Sequence, residues 1–364
     1  MAGSQTQPPY RLHGLKLSYF TGKLEAYLQV KGVPFTFVEM DTADFRACAQ
    51  ATGVAQMPQL EAPDGTWLTD TTDIIGHFED RVADPALRPA DPVTGFASLL
   101  LEDLFDEWFW RPALYYRWAF KDDAALMSAR IAKTMLRDMP LPFALRRRFI
   151  LARQRRVFLS QDGITKKTAP QVEALFLEAL DGLEACLADR PFLFGTRPVE
   201  ADFGLFGSMF RHFSIDPTPA GIMRERAPRV LHWVARVWAT RAPDLAGTTQ
   251  PGAIPGDLAP LFHMTAADYL PYLAANARAV AAGARDVRYE TRDVSWRVPA
   301  APYRARCLAV LQTRFQALDA AGRAQILTLL GPGGAVLAEP PAADLAAPAR
   351  RGRPRDRLWR RTGR

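Results

Sequence analysis

The chain has 364 residues, 48% of them hydrophobic, which exceeds one typical domain and is ample for two or three buried cores. Three cysteines, Cys48, Cys186 and Cys307, are an odd number at wide spacing, forming neither a disulfide framework nor a metal pattern and pointing to a reducing compartment. The formal net charge of +7 equals the excess of residues 350–364, eight arginines against one aspartate, so the body is balanced and a general nucleic-acid surface is not expected.

In chain order, Tyr10 to Leu17 is a short apolar segment read as a strand. Ser18 stands where it stops and can cap the helix described by LEAYLQVKG, with Leu24, Tyr27 and Leu28 on one face and Gly32 ending it. Phe35, Phe37 and Val38 read as a short buried strand. After a polar stretch containing Cys48 and Gly53, Met57 to Leu60 begins another strand at a proline, where the missing amide hydrogen costs little. Asp64-Gly65 supplies a tight hairpin turn, and Asp70 to Glu79 reads as a helix carrying Ile74, Ile75 and Phe78 inward.

Beyond Asp80 the pattern is mostly helical. Phe96 to Phe120 reads as one long aromatic helix that Pro112 should kink or restart. Ala124 to Arg137 and Leu145 to Leu159 follow, the second carrying Arg146, Arg147 and Arg148 as a solvated face. Ala169 to Leu187 is amphipathic, with Val172, Leu175, Phe176, Leu180 and Leu183 at core spacing, and Pro228 to Thr240 turns Val230, Trp233, Val234 and Val237 inward. Further on, Thr265 to Ala281 reads as a helix and VRYETRDVSWRV alternates like a strand. Arg304 to Leu318 and Arg323 to Leu330 are again helical. This last segment is either a buttress on the helical block or a small independent module, and its poverty in core residues favours the buttress.

The order of strand, helix from a polar turn, strand, Met-Pro, hairpin and closing helix resembles the thioredoxin-like half of the glutathione S-transferase superfamily, and the helical block resembles its C-terminal domain. The fold class implied is α+β/α, a thioredoxin-like N-terminal domain over 8–90 followed by an all-α domain over 93–245. A small mixed helix/strand extension over 253–340 and a disordered basic tail over 341–364 complete the chain. The stretch FLFGTRPVEADFGLF resembles the family's helix start, in which a serine or threonine caps and an aspartate follows three residues later. Val199 stands at the cap opposite Asp202, removing half of a reciprocal capping box worth about 1 kcal/mol and implying a less rigid turn.

The chemistry this resemblance implies is activation of the glutathione thiol. A thiol of pKa ~8.5 is about 3% ionised at pH 7, and lowering it by ~2 units requires ~2.7 kcal/mol. One hydroxyl donating to the thiolate supplies ~1.5 to 3 kcal/mol and a helix N-terminus a further ~0.3 to 1, so a single hydroxyl is sufficient. Ser18 occupies the place where serine-type and cysteine-type members carry the catalytic residue, with Tyr19 and Thr21 as alternatives; the competing role for Ser18 is that of a helix cap alone. The absence of cysteine there counts against mixed-disulfide chemistry. Met57-Pro58 resembles the family's cis-proline step, where the backbone pairs with the cysteinyl moiety of glutathione. Asp70 and Thr71 stand where an acidic or amide residue and a serine receive the γ-glutamyl group. Trp108, Arg111 and Tyr115, at i, i+3 and i+7, are the candidate wall of a pocket for an apolar electrophile, or else an ordinary core stripe.

The five histidines lack the spacing of a metal site and no metal is expected; GPGG at 331–334 lacks the lysine of a phosphate loop. The start MAGSQTQPP has no signal-peptide pattern and no apolar run is long enough to span a bilayer, so a cytoplasmic protein without membrane partners is expected. Arg351-Gly352-Arg353-Pro354-Arg355 resembles the core of an AT-hook, alone a weak sign of minor-groove binding. The function implied is glutathione-dependent conjugation or thiol transfer by a homodimer. The alternative is a non-catalytic relative that binds a protein or an apolar ligand.

Overall fold

A computed structural model describes residues 9–342. The AT-hook-like arginines and nearly all of the expected basic tail lie outside them. Among the described residues no helix is long and apolar enough to cross a membrane.

The N-terminal part is built from β1 (Tyr10–Gly14), α1 (Tyr19–Lys31), β2 (Phe35–Glu39), α2 (Thr42–Thr52), β3 (Gln59–Glu61), β4 (Trp67–Thr69) and α3 (Thr71–Glu79). Its sheet has the order β2-β1-β3-β4, with β1 parallel to β2 and the other pairs antiparallel. This is the thioredoxin-like arrangement. Leu24, Tyr27 and Leu28 are buried on α1, which ends at Gly32 with φ 75°, a left-handed conformation that glycine adopts without steric cost. The polar stretch before Gly53 is the helix α2. Asp41 caps it by accepting the amides of Ala43 and Asp44, and Asp138 adds a second carboxylate at the same end.

The helical part comprises α4 (Pro92–Glu107), α5 (Trp110–Ala119), α6 (Lys121–Lys133), α7 (Phe143–Arg155), α8 (Ala169–Cys186), α9 (Glu200–Ser208), α10 (Pro217–Arg226) and α11 (Pro228–Ala239). The long aromatic helix expected over Phe96 to Phe120 is two helices, α4 and α5, broken at Trp108 and Phe109. Pro112 falls in the first turn of α5, where its missing N–H would have had no helical partner, so the chain restarts just before it instead of kinking. At the head of α9, Asp202 accepts the Val199 amide at 3.0 Å, the Leu193 amide at 3.0 Å and the Trp233 indole at 2.9 Å. The half-box thus keeps its carboxylate side, and three donors from separate segments hold the turn that Val199 was expected to loosen.

The extension adds α12 (Ala259–Met264), α13 (Leu270–Ala281), β5 (Asp286–Thr291), β6 (Val294–Pro299), α14 (Pro302–Gln316) and α15 (Ala320–Leu330). The alternating segment expected as one strand is a hairpin, because Arg292 and Asp293 both adopt positive φ, 49° and 60°, between the paired residues Thr291 and Val294. Val287, Tyr289, Trp296 and Val298 face inward and, with Leu308, Leu311 and Phe315, join one hydrophobic cluster with α4 and α8. The Phe96 and Phe315 rings lie 5.7 Å apart, and Trp108 and Tyr272 5.6 Å. The extension therefore has no separate core and packs as a buttress.

Candidate active site

A cavity of about 440 Å³ opens between the turns and helix starts of the N-terminal part and α4 to α7. Its polar side is formed by Ser18, Met57-Pro58, Asp70 and Thr71, which three separate turns of the thioredoxin-like part bring together. Ser18 ends the β1 turn in an extended conformation immediately before α1, and its side chain makes no capping hydrogen bond, so the hydroxyl is not used by the helix. The Met57-Pro58 peptide is cis and leads into β3. Asp70 caps α3 with its Oδ1 3.1 Å from the Thr72 amide, and its backbone has φ 70°, unusual for a residue with a side chain. The other wall is apolar: Phe20, Trp110, Leu114, Trp118, Phe149 and Phe158. The Phe20 and Trp110 rings stack at 5.7 Å.

A buried ionic network underlies the polar side. Lys23, fully buried on α1, contacts Glu102, the Asp106 carboxylate at 2.5 Å and the Thr72 hydroxyl at 3.2 Å. Thr72 in turn donates to Glu102 at 2.7 Å. Burial opposes the lysine's charge, but Asp106 and Glu102 more than offset it and hold Lys23 protonated. Two carboxylates share one ammonium, and burial with the neighbouring Glu102 pushes Asp106 well above the usual carboxylate range. The start of α3 is thereby tied to both α1 and α4.

Residues 12–86 match the family model "Glutathione S-transferase, N-terminal domain", and residues 151–236 match "Glutathione S-transferase, C-terminal domain". The chain belongs to the glutathione S-transferase superfamily. Similar solved structures include a glutathione S-transferase from Methylobacterium radiotolerans in complex with glutathione sulfonate, at 23% identity and TM-score 0.40 over 68% of this chain and 96% of that one. The β-etherase LigF from Sphingobium sp. strain SYK-6 has 22% identity and TM-score 0.45 over 64% and 96%. FzlA from C. crescentus has 18% identity and TM-score 0.41 over 69% and 97%. No curated protein matches the chain in the sequence comparison.

Against this superfamily frame, the alternatives to Ser18 separate. Tyr19 lines the cavity but is 1% exposed, and its hydroxyl is committed to the Phe105 carbonyl, with burial raising its pKa well above the ordinary value. Thr21 does not line the cavity. It is fully buried, and its Cγ2 lies 2.5 Å from where a Cβ on Gly14 would stand, so the two residues pack without room for a side chain on Gly14.

The residues expected to wall an electrophile pocket do not line this cavity. Trp108, Arg111 and Tyr115 face away from the cavity, toward the extension and α8. The Arg111 guanidinium is sandwiched between the Trp108 and Trp296 rings at 4.4 and 4.5 Å, and Tyr115 donates to Glu173 at 2.5 Å. The opposite stripe of α5, Trp110, Leu114 and Trp118, lines the cavity instead. Both faces of α5 are aromatic, and a hairpin far along the chain covers one of them, so helical spacing could not choose. Arg117, also on the cavity side, is held by Asp216 at 2.8 and 3.0 Å and by the Leu17 carbonyl at 2.8 Å. His212, at the cavity edge, is kept neutral by burial and by Arg117. Tyr303, from the extension, reaches the cavity with no local signal for doing so.

The histidine reading changes too. His13, Asp44 and Cys48 cluster, with His13 Nδ1 3.0 Å from Asp44, Nε2 3.3 Å from Glu61, and Cys48 Sγ 3.9 Å from Asp44. They span β1 and α2 and do not line the cavity. Burial pushes the Cys48 thiol up to about 12, away from the thiolate a metal would require.

Proposed function

We propose that this superfamily member binds glutathione at Asp70, Thr71 and the Met57 backbone and transfers its thiolate to an apolar electrophile held by Trp110, Leu114 and Trp118. The observation carrying the reading is that one cavity joins the polar cluster of Ser18, Met57-Pro58 and Asp70-Thr71 to an aromatic wall. Asp70 and the α3 N-terminus offer a carboxylate and backbone amides, suited to the ammonium and carboxylate of the γ-glutamyl group. Ser18 donates its hydroxyl hydrogen bond to the thiolate, which attacks the electrophilic carbon; the S–C bond forms as the leaving group departs with its electron pair. Apolar walls exclude water from the attacking sulfur and collect the apolar partner. No cysteine lines the cavity, and Cys48, Cys186 and Cys307 are all buried elsewhere, which supports a hydroxyl-assisted reaction over mixed-disulfide exchange.

The test is calorimetric titration of the full chain with glutathione beside an Asp70→Ala variant, followed by turnover of apolar aryl halides and epoxides. Binding that the substitution abolishes, together with turnover, supports the proposal. Absence of binding in the wild-type protein overturns it.

A further inference from the structure

The segment beyond residue 236 lies outside both family-model matches, yet it places side chains on the polar end of the cavity. Tyr303, in the first turn of α14, lines the cavity and donates its hydroxyl to Asp70 Oδ2 at 2.8 Å. One turn later Arg306 forms a forked contact with Asp73 at 3.1 and 3.0 Å and comes within 3.6 Å of the same Asp70 oxygen. Between them, Arg304 bonds Glu107, another cavity residue, at 2.8 Å. The first two turns of α14 therefore grip the start of α3 and the end of α4 together. Asn276 secures the preceding turn by pairing with both backbone groups of Ala301, at 2.9 and 2.8 Å.

The carboxylate of Asp70 has two oxygens with different assignments. Oδ1 caps the Thr72 amide and Oδ2 takes the Tyr303 hydroxyl, which fixes the plane of the group, and a carboxylate keeps further acceptor capacity beyond these two bonds. We propose that Tyr303 is a positioning residue for glutathione, holding Asp70 in the orientation that receives the γ-glutamyl ammonium. The C-terminal extension is then part of the co-substrate site, anchored there by the Arg306–Asp73 pair. This rests on the glutathione reading given above.

The experiment uses the full-length protein, with Tyr303→Phe, Arg306→Gln and Asp70→Asn variants. Two ligands are titrated by calorimetry: glutathione, and glutaryl-Cys-Gly, which is glutathione without its α-amino group. Tyr303→Phe keeps the ring and loses one hydrogen bond to a charged group, so glutathione affinity should fall about tenfold. The same variant should bind glutaryl-Cys-Gly within about twofold of wild type, because the ammonium that Asp70 serves is missing. Arg306→Gln should weaken glutathione in the same direction by loosening α14 on α3. Equal losses for both ligands in Tyr303→Phe would assign Tyr303 a merely structural role and overturn the proposal. So would unchanged glutathione affinity in that variant while Asp70→Asn loses it; the glutathione reading would then survive alone. If the wild-type protein does not bind glutathione, both readings fall.

Discussion

Ser18→Ala separates thiolate activation from helix capping because the serine hydroxyl makes no hydrogen bond to α1. Losing a serine cap ordinarily costs about 1 kcal/mol. Here no such bond is lost, and the unfolding free energy should stay within about 0.5 kcal/mol of wild type. The hydrogen bond expected to the bound thiolate is another matter. At about 1.5 to 3 kcal/mol for a bond to a charged group, and 1.36 kcal/mol per pKa unit, its removal should raise the pKa of bound glutathione by about 1 to 2 units. At a pH below that pKa the thiolate fraction, and with it kcat/KM, should fall about tenfold to a hundredfold. The assay is the ultraviolet absorbance of enzyme-bound thiolate against pH, with thermal unfolding in parallel and S-methylglutathione affinity as a control that carries no ionisable thiol. A pKa shift under about 0.3 unit would refute the assignment of Ser18 as donor. An unchanged pKa with a loss of stability would mark it as a cap after all.

Four further variants have expected outcomes. Lys23→Met leaves Glu102 and Asp106 buried without their shared cation and should destabilise by about 3 to 5 kcal/mol in urea unfolding; a loss below 1 would show that the network relaxes freely. Trp110→Ala should raise KM for apolar electrophiles several-fold with little change for glutathione. Trp108→Ala should instead cost about 3 to 5 kcal/mol of stability, the size of a buried aromatic truncation; the reverse pattern would restore the Trp108 face as the pocket. Burial pushes the Asp103 carboxyl up to about 7. With an unfolded pKa of ~3.9, its folded-state advantage is full below about pH 4 and is lost as pH rises through 7. Asp103→Asn should therefore gain on wild type between about pH 5 and 8 in melting temperature, and parallel curves would show that Asp103 does not titrate there.

The elements of the N-terminal part were legible because their signals are local. Leu24, Tyr27 and Leu28 share a face by the helical period, Gly32 ends the helix by its left-handed backbone, and Asp64-Gly65 makes the turn between β3 and β4. Ser18, Met57-Pro58 and Asp70-Thr71 were also legible as a set, through the order of their motifs, and they meet at one cavity. The helix α2 was missed although Asp41 and Gly53 bracket it, since its interior is short of apolar residues at helical spacing and only Thr42 and Cys48 on it are buried.

Most of the run of helices and strands was already written in the chain, because capping, turn conformation and apolar periodicity act over a few residues. Tertiary packing decided which aromatic stripe meets the cavity: Trp108, at the break before α5, and Trp110, at its start, are equally aromatic, and the choice was made when the β5–β6 hairpin stacked Trp296 over Arg111. It likewise decided that Tyr303 meets Asp70 across 233 residues of chain. Nothing in either local segment encodes such a contact. It follows from how α14 packs against α3 and α4, and packing is a property of the whole buried surface.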